Sequence, residues 1–405
     1  MELDPLYDCV AGLDVHLAKV VVCVVRKLEN GEIESLIKEF GGFKRDRRAM
    51  AQWVASFAPQ AVSMESTGIY WKSPYAALER VGIRAKVVNA QHVAKVEGRK
   101  TDICDAQWLA MLTRAGLLRS SFIPHENVRH LRLLARYHTS LTQMLGSEKN
   151  RLLKILGDGG MRLTALVSDP HGVACRQMVR KLLEGASPEQ AVLHAGRLKA
   201  NRSELCASLD HELTATHVYV AQQILENIDT LEARLAKLQA HLLQQLQPLQ
   251  AVIELLLTLP GVDQLGAAKL LVETGAEMSH FGSPGRLAAW CGVCPGNHQT
   301  ADKRKHVRTR KGNPHVRRLL IECANAAVKS RCYFREKYQS LRTRLGHKKS
   351  IVAIAHKMIK VFYCMLTRKQ CYQDRSADFE ELRTRRNAPR WLRNLQKYGM
   401  LPAVT

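Results

Sequence analysis

The sequence predicts an α/β fold at its beginning and a largely helical architecture after it, on three observations. Three short apolar or β-branched runs follow one another before residue 44. Helical and strand-like periodicities then alternate from residue 46 to residue 88. Beyond residue 126 the pattern is helical for long stretches and carries an extended leucine seam. With 405 residues and 46% hydrophobic content, the chain can bury a sizeable core and fits two or three domains. That composition excludes disorder throughout.

The first run, Cys9 to Val15 (CVAGLDV), reads as a strand ending near Asp14. Lys19 to Lys27 (KVVVCVVRK) is a second β-branched run. A turn at Asn30-Gly31 leads to a third strand read over Lys38 to Phe43, so the three form an antiparallel meander. Residues 46–58 place Met50, Trp53, Val54 and Phe57 on one helical face. Ala61 to Met64 is a buried strand that delivers Glu65, Ser73 to Val81 a helix, and Ala85 to Val88 a further strand. This alternation implies parallel crossovers. A three-stranded meander followed by such crossovers is the order of a ribonuclease H-like fold.

Residues 103–114 and 126–155 read as helices, and 213–247 as another long one. In the last, Leu225, Ile228, Leu231, Leu235, Leu238, Leu242 and Leu246 recur every three or four residues, a coiled-coil seam. The two long helices form an antiparallel hairpin or pair with another subunit, with residues 157–212 inserted between them. Pro248 ends the second. The chain thus divides into an α/β domain at 1–125, a coiled-coil helical region with an insertion at 126–250, an all-α domain at 251–332 and a basic helical tail at 333–405. Pro389 and Pro402 predict poor order at the very end of the tail.

Charge separates these parts. The chain carries 61 Lys and Arg against 37 Asp and Glu, a net charge of +24. Residues 303–405 hold 27 basic and 6 acidic side chains, +21, which leaves 34 and 31, or +3, for the first 302 residues. A near-neutral body with a basic end points to a polyanionic partner, most often nucleic acid. The eleven cysteines are irregularly spaced, and Cys291 and Cys294 form a CxxC without the second pair that a zinc ribbon needs. Glu2, Asp4 and Asp8 stand where a signal peptide has a basic region. The apolar run Val20 to Val25 is far short of the roughly 20 residues that span a bilayer. A cytoplasmic protein with no membrane partner is expected.

Four acids stand out by position. Asp14 ends the first strand, Glu65 follows the fourth, and Asp102 and Asp105 open a helix with the i, i+3 spacing that puts both on one face. An acid at the end of an apolar strand needs a partner. Oxygen-only clusters suit Mg²⁺ or Mn²⁺, and two such ions can clamp the attacking and leaving oxygens of a phosphodiester.

The motifs GLDVH, MESTGIYW and VEGRKTDICDA resemble those of the DEDD-type insertion-sequence transposases, the IS110 family. Farther on, LPGVDQLGAAKLL, HFGSPGRLAAWCGVCPGNHQTADKRK and RKGNPHVRRLLIECA are similar to that family's second conserved domain, with wording like the IS1111 subgroup. The resemblance covers roughly residues 8–130 and 250–332. It implies a RuvC-like domain, a coiled-coil hairpin and a helical second domain, with Asp14, Glu65, Asp102 and Asp105 as catalytic metal ligands for Mg²⁺ (or Mn²⁺). It implies excision and insertion of an element by strand cleavage and rejoining, guided by a structured non-coding bridge RNA that pairs with donor and target DNA. The partners implied are double-stranded DNA, that RNA and further copies of the chain, as a dimer or tetramer.

Where the family carries a serine that becomes joined to DNA, this chain has Thr300. Either Thr300 is the nucleophile, despite a methyl that crowds attack and stiffens χ1, or this copy is impaired, or Ser279 or Ser283 takes the role. Ser283 before Pro284 also reads as a helix N-cap. Leu259-Pro260-Gly261-Val262 resembles a helix-hairpin-helix turn, in which backbone amides around Gly261 hold a DNA phosphate, or is a plain turn between helices. Lys303, Arg304, Lys305, Arg308, Arg310, Lys311, Arg317 and Arg318 form a basic block suited to neutralising phosphate charge. Two rival readings remain open. One is a metal-dependent Holliday-junction or structure-specific nuclease that uses water. The other is a non-catalytic nucleic-acid-binding protein.

Overall fold

The computed structural model describes residues 5–66, 68–93, 104–296, 299–300, 303–304 and 309–400. They form two compact units, Met1–Glu126 and Asn127–Thr405.

The first unit is built on a five-stranded sheet of β1 (Cys9–Val15), β2 (Lys19–Lys27), β3 (Ile33–Gly41), β4 (Ala61–Glu65) and β5 (Lys86–Val88). The strand order is β3-β2-β1-β4-β5. β1, β2 and β3 pair antiparallel, whereas β4 runs parallel to β1 and β5 parallel to β4. This meander with two added parallel strands is the ribonuclease H-like order that the sequence predicts. β3 starts five residues before the predicted Lys38. It is an edge strand with mostly exposed side chains, so its apolar alternation is weak. Main-chain pairing to β2, from Lys27↔Ile33 to Lys19↔Gly41, holds it.

Both faces of the sheet are covered, which is why β1 and β2 read as nearly continuous apolar runs. Leu13, Val22, Met64 and Val87 face α1 (Lys44–Ala55) and α2 (Lys72–Arg80), where Met50, Val54, Tyr75 and Leu78 are buried. On the opposite face Val10, Cys23, Val25 and Ala61 pack on Ala106 and Ala110 of α4 (Asp105–Arg114). The short α3 (Ala90–Val93) follows β5. Gly12 permits the close approach of α4, since a Cβ there would overlap Ala106 O and Ala110 N.

The second unit begins with the long α5 (Glu126–Asp158) and α9 (Ala215–Gln245). Lys149 pairs with Glu232 at 2.9 Å and Asp158 with His217 at 3.0 Å, so the end of α5 and the start of α9 run antiparallel. The stretch between them is a packed cap of α6 (Val173–Leu183), α7 (Pro188–Val192) and α8 (Arg202–Leu209). Met178, Leu182, Leu205 and Leu209 share one core with Leu152 and Leu156 of α5 and Ile224, Leu225 and Ile228 of α9. The leucine seam is therefore mixed in use. Its first residues close the cap core, Leu242 and Leu246 are buried farther on, and Leu235 and Leu238 are half-exposed.

The rest of the unit holds α10 (Gln250–Leu257), α11 (Gln264–Thr274), α12 (Pro284–Trp290), α13 (Pro314–Ala327), α14 (Tyr333–Arg368) and α15 (Ser376–Lys397). Residues 251–332 are not all-helical: β6 (Gln299–Thr300) and β7 (Lys303–Arg304) pair antiparallel between α12 and α13. α14 is a core helix that packs on α10, α12 and α13, with Phe334, Ile354, Ile359 and Phe362 fully buried. Among the described residues it is the one helix long and apolar enough to cross a membrane. Half of that apolar stretch is buried within the protein, and Gly346 breaks the helix at φ 72°. Where poor order was predicted, α15 runs through Pro389 to Lys397; Pro402 lies outside the described residues.

Gly12→Ala should push α4 off the sheet and lower unfolding stability by about 1–3 kcal/mol, as overpacking does. Urea titration of the first unit's signal checks it, and an unchanged midpoint would refute the close approach.

Candidate nucleic-acid-processing site

In the first unit the parallel register Leu13↔Met64 makes Asp14 and Glu65 the next residues on adjacent strands. Residues opposite one another in neighbouring strands share a face. For Asp14 and Glu65 it is the face of Val10, Gly12 and Ala61, on which α4 packs. α4 runs antiparallel to β1: Ala106 lies against Gly12, while Leu6 N donates to Arg114 O at 2.9 Å. Its first residue, Asp105, is thereby brought to the Asp14 end of β1. A carboxylate in the first turn also suits the positive end of the helix dipole.

Asp14 Oδ2 lies 2.9 Å from His16 Nε2, a partner that the sequence analysis did not single out. Asp102 is outside the described residues. Among the described residues no three His, Cys, Asp or Glu side chains are grouped closely enough to hold a metal ion. The donor chemistry of Asp14, Glu65 and Asp105 is nonetheless that of a hard divalent cation.

In the second unit Thr300 sits in β6 opposite Lys303, and Gln299 opposite Arg304. The side chains of Thr300, Lys303 and Arg304, and all of Lys305 and Arg308, lie outside the described residues. The base of this hairpin is tied down by main-chain contacts. Pro295 bridges Thr309, Arg310 N donates to Cys294 O at 3.2 Å, and Asn313 N donates to Trp290 O at 2.9 Å. Gly292, at φ 72°, and Gly312 cross backbone to backbone there, with no room for a Cβ on Gly312. Arg310, Lys311 and Arg318 are exposed and Arg317 is half-buried.

Ser283 caps α12, its Oγ accepting from Arg286 N at 3.3 Å, as the Ser-Pro order predicts. Ser279 Oγ donates to Glu277 Oε1 at 2.7 Å. Gly261 links α10 and α11 at φ 80°, where a Cβ would strike Cys323 O and Ala327 N of α13. Close packing thus accounts for glycine at this position. Asp263 caps α11 through Gly266 N at 2.7 Å.

A buried carboxylate that sequence reading passed over organises the neighbourhood. Glu273, 3% exposed, accepts from Arg136 Nε at 2.8 Å and Nη2 at 3.0 Å, and from Asn313 Nδ2 at 2.9 Å. Arg132 Nε is 3.6 Å away and also donates to Val272 O at 3.1 Å. Burial raises the Glu273 pKa, but the bonds and charges of Arg136 and Arg132 and the bond from Asn313 outweigh it and hold it below the ordinary glutamate value. Asn313 Oδ1 caps α13 through His315 N at 3.0 Å. Beside this knot His138 Nδ1 lies 3.1 Å from Lys269 Nζ. Burial and that ammonium lower His138 to about 4, so the neutral ring accepts from Lys269 near neutrality. The one sequence signal was an acid within the apolar run LLVET.

The sheet order defines a ribonuclease H-like fold in the first unit. A family model for DEDD transposases of the IS110 type matches residues 11–159, and the model "Transposase IS116/IS110/IS902 family" matches residues 253–339. The chain belongs to the IS110 family of transposases. It is 25% identical to the Coxiella burnetii "Transposase for insertion sequence element IS1111A", over 82% of this chain and 84% of that one. It is 23% identical to a Pseudomonas aeruginosa "Probable family 20 transposase", over 81% of this chain and 90% of that one. Among solved structures, Thermus thermophilus RuvC in complex with a Holliday junction substrate aligns with 28% of this chain and 100% of its own. That alignment has 15% identity and a TM-score of 0.22.

Glu273→Ala leaves Arg132 and Arg136 facing one another without their carboxylate and should cost about 3–5 kcal/mol. Because the folded pKa of Glu273 is depressed, its contribution is present above the unfolded value of about 4.3 and is lost as pH falls through the folded one. Chemical unfolding of the parent should weaken across that acid window, and Glu273→Gln should flatten the dependence. Identical pH profiles for the two would overturn the account.

Proposed function

We propose that this chain cuts and rejoins DNA strands at the ends of an insertion element and at its target, as a transposase of the IS1111 type, in the cytoplasm and with a structured guide RNA. The observation that supports it most is the register putting Asp14 and Glu65 on adjacent strand ends, on the face carrying the start of α4. Asp14, Glu65, Asp105 and, by motif, Asp102 are the residues that would hold Mg²⁺ or Mn²⁺. Such an ion, when bound, withdraws charge from a phosphodiester and favours ionisation of an attacking hydroxyl. His16, bonded to Asp14, restrains that carboxylate.

Thr300 supplies the nucleophile. Its Oγ forms a bond to phosphorus, the bond from phosphorus to the leaving sugar oxygen breaks, and the hydroxyl proton passes to a base or to water. The phosphodiester bond energy is kept in the covalent link until a strand-end hydroxyl attacks it and releases Thr300. Arg310, Lys311, Arg317 and Arg318, with Lys303, Arg304, Lys305 and Arg308 by sequence, would offset charge on the phosphate. The β6–β7 ladder and the tied base of its hairpin provide a rigid mount for such a nucleophile. Joining two DNA segments takes at least four strand cuts, so we propose a dimer or tetramer.

Mg²⁺ should raise the melting temperature of the parent by linkage, and Asp14→Asn should remove most of the increase. The same shift in both proteins would separate metal binding from Asp14.

Thr300→Ala should abolish the covalent protein–DNA adduct on denaturing gels yet leave DNA affinity nearly unchanged, since many cations carry the binding. Thr300→Ser keeps the hydroxyl without the methyl and should retain activity, with up to roughly tenfold acceleration if the methyl adds about 1.4 kcal/mol to the barrier. Adduct formation by Thr300→Ala would remove Thr300 from the role. Metal-dependent cleavage without any adduct in the parent would favour a nuclease that uses water.

A further inference from the structure

A groove of about 480 Å³ runs between α14 and the segment that connects it to α15, a volume within the range of ligand sites. One wall and the floor are a stripe of α14. Lys357, Lys360, Val361, Cys364 and Arg368 recur at the three- and four-residue intervals of one helical face. The other wall is residues 370–375, folded back along the helix and pinned in place. Tyr372 N donates to Thr258 Oγ1 at 2.9 Å, and the Tyr372 ring stacks on Phe334 with centroids 5.7 Å apart.

The charge of this groove is unbalanced. Lys357, Lys360, Arg368 and Arg375 border it, and among the described residues none of the four pairs with an acid. Asp374 of the connecting segment is already committed: Oδ2 accepts from Tyr333 N and from Tyr372 Oη, each at 3.0 Å, and Oδ1 accepts from Ser376 N at 2.8 Å. Between the cations the floor is apolar, formed by Val361, Cys364 and Met365. At Cys294, at the base of the Thr300 hairpin, burial raises the thiol pKa and the positive charges of Arg310 and Lys360 oppose the rise.

Cations around an apolar floor with a tyrosine wall match a phosphate together with an exposed base. That is the pairing by which single strands are held, and a duplex keeps its bases stacked away from such a floor. We propose that this groove takes an unpaired nucleotide of a single-stranded nucleic-acid segment, its phosphate among Lys357, Lys360, Arg368 and Arg375 and its base over Val361, Cys364 and Met365. The inference rests on the reading of the chain as a nucleic-acid-joining enzyme.

The test uses the full chain and labelled oligonucleotides of about 12 residues, as single-stranded DNA, single-stranded RNA and duplex DNA, followed by anisotropy across salt. For K360Q/R368Q the single-strand salt slope should shrink by about 1.4, two contacts at roughly 0.7 each, with duplex affinity unchanged. R342Q/K348Q, an equal loss of charge elsewhere on α14, should keep the parental slope. Cys364→Trp fills the floor without changing charge and should weaken single-strand binding about tenfold at an unaltered slope. Whichever of RNA and DNA loses more to Cys364→Trp identifies the natural strand. Groove variants that bind single strands as the parent does, or that lose duplex equally, would overturn the groove assignment alone. A parent that binds none of the three probes would overturn the functional reading beneath it.

Discussion

Glu273 is the constraint on which the second unit depends. A carboxylate almost fully removed from water is tolerable only with its charge matched and its lone pairs filled. Arg136 in a two-point contact to both oxygens, Arg132 behind it and Asn313 on Oε2 meet both demands. The knot thus joins α11, which carries Glu273, to α5 and the turn into α13, which are far apart in sequence. Asn313 also caps α13 and hydrogen-bonds to Trp290, so the Glu273 knot reaches the base of the hairpin carrying Thr300. The base of the hairpin that carries the proposed nucleophile is thus joined, through Asn313, to an ion-paired knot.

The first unit rests on a steric counterpart. With no side chain at Gly12, α4 settles directly on β1, and its N-terminus arrives where Asp14 and Glu65 end their strands. A side chain there would overlap the backbone of α4 and push it off the strand. The packing of this end of the sheet is therefore set by what is missing at one position.

The C-terminal basic segment does two things at once. One face of α14 is core, with Phe334, Ile354, Ile359 and Phe362 fully buried. Another carries cations that no acid answers among the described residues. From the sequence this part reads as a basic helical tail, and its burial makes α14 part of the framework. Its positive surface is held in a fixed place instead of trailing on a flexible tail.

The sequence by itself determined the local and the repetitive. Strands β1, β2 and β4 were legible because a sheet buried on both faces demands unbroken apolar runs, and the long helices because a leucine every three or four residues has one regular reading. The family motifs marked Asp14, Glu65, Asp105 and Thr300, and Ser-Pro marked the cap at Ser283. Tertiary structure decided the rest. β3 is held by main-chain bonds at an exposed edge, which leave little trace in side-chain pattern. The helical pieces at 157–212 are too short to announce a core, and become one only when closed by α5 and α9. Glu273 looked like an ordinary helix acid until Arg132, Arg136 and Asn313 converged on it. Contacts between residues 40 or 137 positions apart have no period, so only the folded chain could reveal them.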